Sequence, residues 1–79
     1  MVCEIDFDGS RKWRNLEGYL HRDDGPAIEK YDGGKCWYVN NELHRVDGPA
    51  VELINEEKYW YIEGMLYNKE EFDKVVSKI

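Results

Sequence analysis

The sequence predicts a mainly β protein, an antiparallel meander of short β-hairpin repeats with a C-terminal capping α-helix. Three observations carry this expectation. Residues 20–29 read LHRDDGPAIE and residues 43–52 read LHRVDGPAVE, 23 residues apart and identical at eight of ten positions. Trp37–His44 then recurs in looser form as Trp60–Tyr67, so a third, partial copy follows. A fixed period of this length marks one supersecondary unit used repeatedly, each copy burying apolar surface against the next. Turn-forming pairs punctuate the chain throughout, and the last dozen residues change from strand-like to helical periodicity.

Taken in order, the turns fall at Asp8-Gly9, Glu17-Gly18, Asp24-Gly25-Pro26, Gly33-Gly34, Asn40-Asn41, Asp47-Gly48-Pro49, Asn55-Glu56 and Glu63-Gly64. Between them lie short runs rich in aromatic and β-branched residues, as strands require. The expected strands are about 2–7, 11–16, 19–21, 27–32, 35–40, 42–44, 50–54, 58–62 and 65–67. Gly33-Gly34 and Asn40-Asn41 suit tight hairpin turns because Gly and Asn tolerate positive φ. Leu20, Leu43 and Leu66 occupy matching positions expected in the core, and Ala27 and Ala50 are small where chains cross. Trp13 to His21 spans eight residues where Trp37 to His44 spans seven, so a bulge is expected in the first copy.

The chain closes differently. Asn68 followed three residues on by Glu71 is a capping-box pattern, and Phe72, Val75, Val76 and Ile79 then form one apolar helical stripe. Glu70 and Glu71 suit the positive end of the helix dipole and Lys78 the negative end. One domain is expected over residues 1–79, with hairpin repeats over 1–67 and the helix over 68–79.

Seventeen acidic and eleven basic side chains give a formal charge of −6, which repels nucleic-acid phosphates but favours a basic protein partner. No direct nucleic-acid contact is therefore expected. No signal peptide and no membrane-spanning apolar run is read, and Cys3 and Cys36 form no CxxC pair, so a cytoplasmic location is expected. No cofactor and no metal site is expected. Enzyme motifs are absent: no phosphate-cradling loop, no nucleophile with an identifiable base and no isolated carboxylate pair. Cys36 reads as a core residue.

Two sets of residues are candidates for binding. Alternation along Cys36-Trp37-Tyr38-Val39 and Tyr59-Trp60-Tyr61-Ile62 places the tryptophans on one sheet face and Cys36, Tyr38, Tyr59 and Tyr61 on the other. That second face is either a half-buried aromatic layer or a binding surface, with Tyr38, Tyr61, Tyr59 and Tyr31 as its anchors. The other set is His21, Arg22, His44 and Arg45, in which each arginine lies two residues before Asp24 or Asp47 and can ion-pair within its own turn, at little gain in stability. Each imidazole is expected to bond its own Asp-Gly-Pro turn and pack on a Trp; alternatively the four form a site for an anionic small molecule, since Arg suits phosphate. A shared metal site is disfavoured, because Tyr67 replaces the third His and no further ligand recurs.

The pattern D-G-x-x-x-W-Y-x-N-x-x-L-H-R-x-D-G-P-A resembles the MORN-variant repeat family, short β-hairpin repeats of bacterial and bacteriophage proteins. The resemblance spans roughly residues 7–67, although the third copy lacks HRxDGPA. It implies a sheet of repeated hairpins with a binding or scaffolding role, names no ligand, and fits a phage accessory protein acting in the host cytoplasm. The leading expectation is a non-enzymatic protein that binds and inhibits a host protein, such as a defence or nucleic-acid-handling enzyme. The alternatives are a binder that sequesters an anionic nucleotide or signalling molecule, and a structural repeat that forms homo-oligomers through its sheet edges.

Overall fold

The computed structural model describes residues 2–78. It contains β1 (Val2–Ile5), β2 (Arg11–Arg14), β3 (Ile28–Glu29), β4 (Lys35–Cys36), β5 (Tyr38–Val39), β6 (Glu42–Leu43), β7 (Val51–Glu52), β8 (Lys58–Ile62), β9 (Met65–Tyr67) and α1 (Lys69–Val76). All pairings are antiparallel. Seven strands form one sheet in the order β1-β2-β3-β4-β7-β8-β9, and β5-β6 forms a separate hairpin. The β meander with one C-terminal helix is as expected.

Two kinds of hairpin alternate, and local sequence explains both. β1–β2, β3–β4 and β7–β8 close with the same turn: Asp6, Lys30 and Leu53 each donate to the carbonyl four residues on, at 2.8–2.9 Å. In each turn one residue is left-handed: Gly9 at φ 90°, Gly33 at φ 98° and Glu56 at φ 70°. The side chains of Asp8, Asp32 and Asn55 accept the backbone N–H two residues on, which fixes these turns locally. Of the Gly33-Gly34 pair, only Gly33 therefore needs its conformational freedom.

The other hairpins, β5–β6 and β8–β9, turn on Asn40-Asn41 (φ 48° and 71°) and Glu63-Gly64 (φ 52° and 83°). Positive φ at both central residues is the two-residue turn whose twist matches that of the strands. The first copy replaces it with a longer turn, Asn15 N–H to Tyr19 O, around Gly18 at φ 86°, leaving only an isolated Arg14–Leu20 bridge. The expected extra residue is accommodated by that left-handed glycine.

The strands differ from expectation in length and continuity. The runs 27–32 and 50–54 pair only at Ile28–Glu29 and Val51–Glu52, because the residues beyond enter the tip turns. The expected strand 35–40 is interrupted at Trp37, where the chain changes partner: Trp37 N–H donates to Ala50 O, and Trp37 O accepts from His44 N–H. β8, in contrast, covers 58–62 as read from the sequence.

The molecule is thin, with extents of 38 × 30 × 17 Å, and no large side chain among the described residues is completely enclosed. Ala27 and Ala50 are fully buried, and Cys36, Ile62 and Phe72 complete the buried apolar set. At the two alanines a neighbouring segment bonds the backbone directly: Trp13 N–H reaches Ala27 O at 2.8 Å and Trp37 N–H reaches Ala50 O at 2.7 Å. The three leucines are a correction: Leu20 and Leu43 are half-buried and Leu66 is 58% exposed, so none of them is core. Leu20 O and Leu43 O accept N–H groups of the following repeat, from Asn41 and Gly64, whereas no further repeat covers Leu66.

The helix begins as its sequence requires. Asn68 Oδ1 accepts from Glu71 N–H at 2.8 Å, and Glu71 Oε1 accepts from Asn68 N–H at 3.3 Å. Phe72 is buried against Trp60, ring centroids 6.4 Å apart, while Val75 and Val76 are half-buried. Lys74 occupies the last turn; Lys78 lies past the Ser77 cap, and Ile79, the end of the expected stripe, lies outside the described residues.

Candidate functional site

The repeated LHRxDGPAxE segment builds one structural device twice. Arg22 lies over the Trp13 ring at 3.9 Å, and Arg45 over the Trp37 ring at 3.8 Å. From there each guanidinium forks onto its own turn: Arg45 Nε donates to Asp47 at 2.8 Å, and Nη1 to Pro49 O at 3.1 Å and Glu52 at 3.2 Å. Arg22 repeats this with Asp24 at 3.1 Å, Pro26 O at 3.2 Å and Glu29 at 3.4 Å. A planar five-donor cation suits this combined stacking and forking, which a lysine cannot reproduce. Asp47 is accordingly held below the ordinary carboxylate range, chiefly by its hydrogen bond from Arg45.

The device explains the invariant neighbours. A Cβ on Gly48 would stand 2.9 Å from Arg45 Cζ, and one on Gly25 3.1 Å from Arg22 Cζ. These glycines are small to admit the guanidinium, and neither adopts a positive φ. Pro26 and Pro49 have no N–H to offer a ladder, and their carbonyls accept from the arginine.

The histidines bond forward along the array. His21 Nδ1 accepts from Asn40 N–H at 3.2 Å, and His44 Nδ1 accepts from Glu63 N–H at 2.9 Å. These amides belong to the two-residue turn of the next repeat, not to the histidine's own Asp-Gly-Pro turn as expected. The second nitrogen differs between copies: His21 Nε2 meets Asp23 at 2.8 Å, and Val46 stands at that position after His44. An imidazole accepting at Nδ1 carries its proton on Nε2, which makes His21 the donor to Asp23.

The four residues therefore come together as two stacked clamps. Between them lies an open cleft of about 580 Å³, lined by both arginines, Asp23, Asp24, Trp37 and Asp47 among others. It is not the basic site its letters suggest: two guanidiniums face four carboxylates, Asp24, Glu29, Asp47 and Glu52, and Asp23 adds a fifth. On each arginine Nε and Nη1 are engaged with the turn and the following strand. Among the described residues, no group of His, Cys, Asp and Glu is arranged to hold a metal ion.

Of the four tyrosines, three share a neighbourhood. Tyr59 and Tyr61 are two apart in β8 and so face the same way. The Tyr38 phenol is pushed up by burial first, then by neighbouring Cys36 and Tyr61. Tyr59 is pushed up chiefly by its hydroxyl's 2.9 Å bond to Glu57, and Tyr61 is again a neighbour. Tyr38 and Tyr61 are half-buried, Tyr59 is 38% exposed, and neither the Tyr38 nor the Tyr61 hydroxyl has a protein hydrogen-bond partner among the described residues. Burial raises Cys36 as well, so its thiol stays protonated in this apolar setting.

Tyr31 stands elsewhere. It lies at the tip of the β3–β4 hairpin, its N–H bonded to Ser10 Oγ at 3.0 Å, at the same turn position as Phe7 and Ile54. All three are strongly exposed, at 114%, 71% and 63% for Phe7, Tyr31 and Ile54. The sequence reading took Tyr31 by residue type alone and missed its two tip partners, although their 23–24 residue spacing matched the repeat.

No protein-family model matches this chain, and no curated protein or solved structure matches it either. Among the described residues, no helix is long and apolar enough to cross a membrane.

Proposed function

We propose that this protein is a non-enzymatic binding module that takes a basic protein partner on the face bearing Tyr38, Tyr59 and Tyr61. The supporting observation is the occupancy of the two arginines. Arg22 and Arg45 each stack on a ring and commit Nε and Nη1 to a carbonyl and two carboxylates, so the chain's conspicuous basic residues serve its own repeats. The tyrosine group, in contrast, spans β8 of the main sheet and the separate β5–β6 hairpin, and carries two hydroxyls with no protein partner among the described residues. Tyrosines of this kind combine apolar contact with a polar handle and are favoured anchors at interfaces.

The net charge of −6 selects the partner's sign. A host enzyme that handles nucleic acid presents a basic groove, and a small acidic chain competes for such a surface by charge complementarity. The repeat resemblance to bacterial and bacteriophage proteins fits the same assignment, with inhibition of a host defence enzyme as the activity.

The test is capture from bacterial lysate followed by mass spectrometry, with wild type and the Tyr38→Ala/Tyr61→Ala variant as baits. The expected result is a partner retained by wild type, released by salt and lost with the tyrosine pair. Equal capture by both baits would overturn the reading. Calorimetric binding of a nucleotide by wild type would favour the anionic-ligand alternative.

A further inference from the structure

Apolar side chains crown one end of the sheet. The strands β1-β2-β3-β4-β7-β8 pair antiparallel throughout, so the β1–β2, β3–β4 and β7–β8 hairpins all close at the same end. Phe7, Tyr31 and Ile54 hold the same place in these turns, each directly after the closing residue, Asp6, Lys30 or Leu53. Because the turns are built alike, the three side chains leave the backbone alike and form a row. The row is continuous. A Cβ on Gly9 would stand 3.9 Å from Tyr31 Cβ, and one on Gly33 3.7 Å from Ile54 Cγ2, so each side chain flanks the glycine of the preceding tip.

Turns are ordinarily polar, and a single exposed apolar residue needs no explanation. Three large ones, strongly exposed at successive equivalent tips, mark an interaction site. The surrounding charges give the partner's sign. Residues 6–10, 30–34 and 53–57 carry Asp6, Asp8, Asp32, Glu56 and Glu57 against Lys30 alone. Lys12 takes up Asp6, and the other four carboxylates form no ion pair among the described residues. Such a row repels an anionic bilayer and attracts a cationic peptide.

Spacing gives the partner's shape. Successive tips are two strands apart, which is about 9.6 Å. Residues i and i+7 of an α-helix share a face about 10.5 Å apart. Same-side residues of an extended peptide recur at about 6.8 Å and then about 13.6 Å, so they straddle the tips. We propose that the Phe7–Tyr31–Ile54 row docks a basic amphipathic helix. Apolar residues at i, i+7 and i+14 of that helix meet the three tips, and its Lys or Arg side chains meet the flanking carboxylates. The row lies apart from Tyr38, Tyr59 and Tyr61, and the inference does not rest on that face.

The test is a titration, followed through backbone amide chemical shifts, with a lysine–leucine peptide of about three heptads whose leucines lie on one helix face. One control peptide scrambles the same composition, and the other replaces lysine with glutamate. The patterned peptide should shift the amides around Phe7, Tyr31 and Ile54 and bind about tenfold or more tighter than either control. Phe7→Ser/Tyr31→Ser/Ile54→Ser should weaken it by about tenfold or more with the circular dichroism spectrum unchanged. Tyr31→Ser alone, a change at one exposed tip, should weaken it by a smaller factor. Equal binding of the scrambled peptide, or binding indifferent to Tyr31→Ser and to the triple variant, would overturn the proposal. Shifts centred on Tyr38, Tyr59 and Tyr61 would also overturn it, while favouring the tyrosine face. A row that instead pairs two copies in sedimentation, or binds neutral lipid vesicles, would overturn it too.

Discussion

The Arg45 guanidinium lies 3.8 Å from the centre of the Trp37 ring and from that position reaches Asp47, Pro49 O and Glu52. One side chain thereby connects a strand, a turn and the strand after it. Arg22 does the same on Trp13, so the most repeated letters of the sequence describe a fastening between segments. The side chain is only 21% exposed, which keeps water from replacing most of these contacts.

Replacing Arg45 should reveal geometry as well as charge. Arg45→Lys keeps the positive charge but loses the stacked plane and the fork, and should cost about 1–2 kcal/mol. Arg45→Ala should cost about 2–3 kcal/mol, with the exposed Asp47 contact contributing little of it. Urea unfolding of both variants checks this, and a lysine variant as stable as wild type would show that charge alone matters.

Gly48→Ala should destabilise by about 1–3 kcal/mol, because the new methyl group would enter the space of Arg45 Cζ. Gly34→Ala should be milder, since its Cβ would stand 3.2 Å from Lys30 Cδ and 3.3 Å from Asp32 Oδ1, farther than the 2.9 Å from Arg45 Cζ at Gly48. In the double variant Gly48→Ala/Arg45→Ala the two costs should not add, because removing the guanidinium removes the clash. Additive losses would place the strain in the turn backbone instead.

Much of the fold was legible because the repeat, the turn residues and the helix cap are all local signals. The capping box at Asn68 and Glu71 and the strand at 58–62 needed nothing beyond neighbouring letters. The break at Trp37 was not legible, since it comes from a change of strand partner that alternation cannot register. The arginines were legible in part for a related reason. Pairing of Arg22 and Arg45 with Asp24 and Asp47, two residues on, is local, whereas Glu29 and Glu52, seven residues on, must fold back to meet them. That spacing recurs in both copies and was the available clue. The tyrosine grouping followed from period-two alternation, whereas Tyr31, outside any strand, could not be placed that way.

His44→Asn and His44→Phe should separate acceptor chemistry from packing. Asparagine retains a side-chain oxygen near the position of Nδ1, whereas phenylalanine leaves Glu63 N–H without its 2.9 Å partner. The phenylalanine variant should lose about 1 kcal/mol. Hydrogen exchange at the Glu63 amide should quicken in that variant while Asn40, bonded to His21, stays protected. Unchanged exchange at Glu63 would show that the imidazole is only a spacer.

Acid should loosen the second clamp in a definite direction. Asp47 titrates below its ordinary 3.8 because Arg45 stabilises the carboxylate. Its contribution is thus complete above 3.8, declines as pH falls below that value and is gone below the folded-state value. The side chain is 81% exposed, so screening holds the effect to about 0.5 kcal/mol or less. Stability of wild type and Asp47→Asn should differ at neutral pH and converge in acid; a gap that persists in acid would assign the aspartate's effect to turn geometry.

The last repeat has no arginine for Trp60: Asn68 stands where Arg45 stood one period earlier, and Phe72 covers the ring instead. Phe72 is only 4% exposed in a chain with very little enclosed apolar volume. Truncating it to alanine should cost about 3–4 kcal/mol, enough to threaten folding in a domain this small. Phe72→Leu conserves most of the contact and should cost about 1 kcal/mol, leaving a folded protein in which Trp60 is less well covered. In a Trp13→Phe/Trp37→Phe background Trp60 is the sole tryptophan, and its emission should shift to the red in Phe72→Leu relative to that parent. Val75→Ala, at a half-buried position of the same helix, serves as the comparison and should shift it less. If Trp60 emission ignored Phe72→Leu, the helix would not be what closes the array at this end.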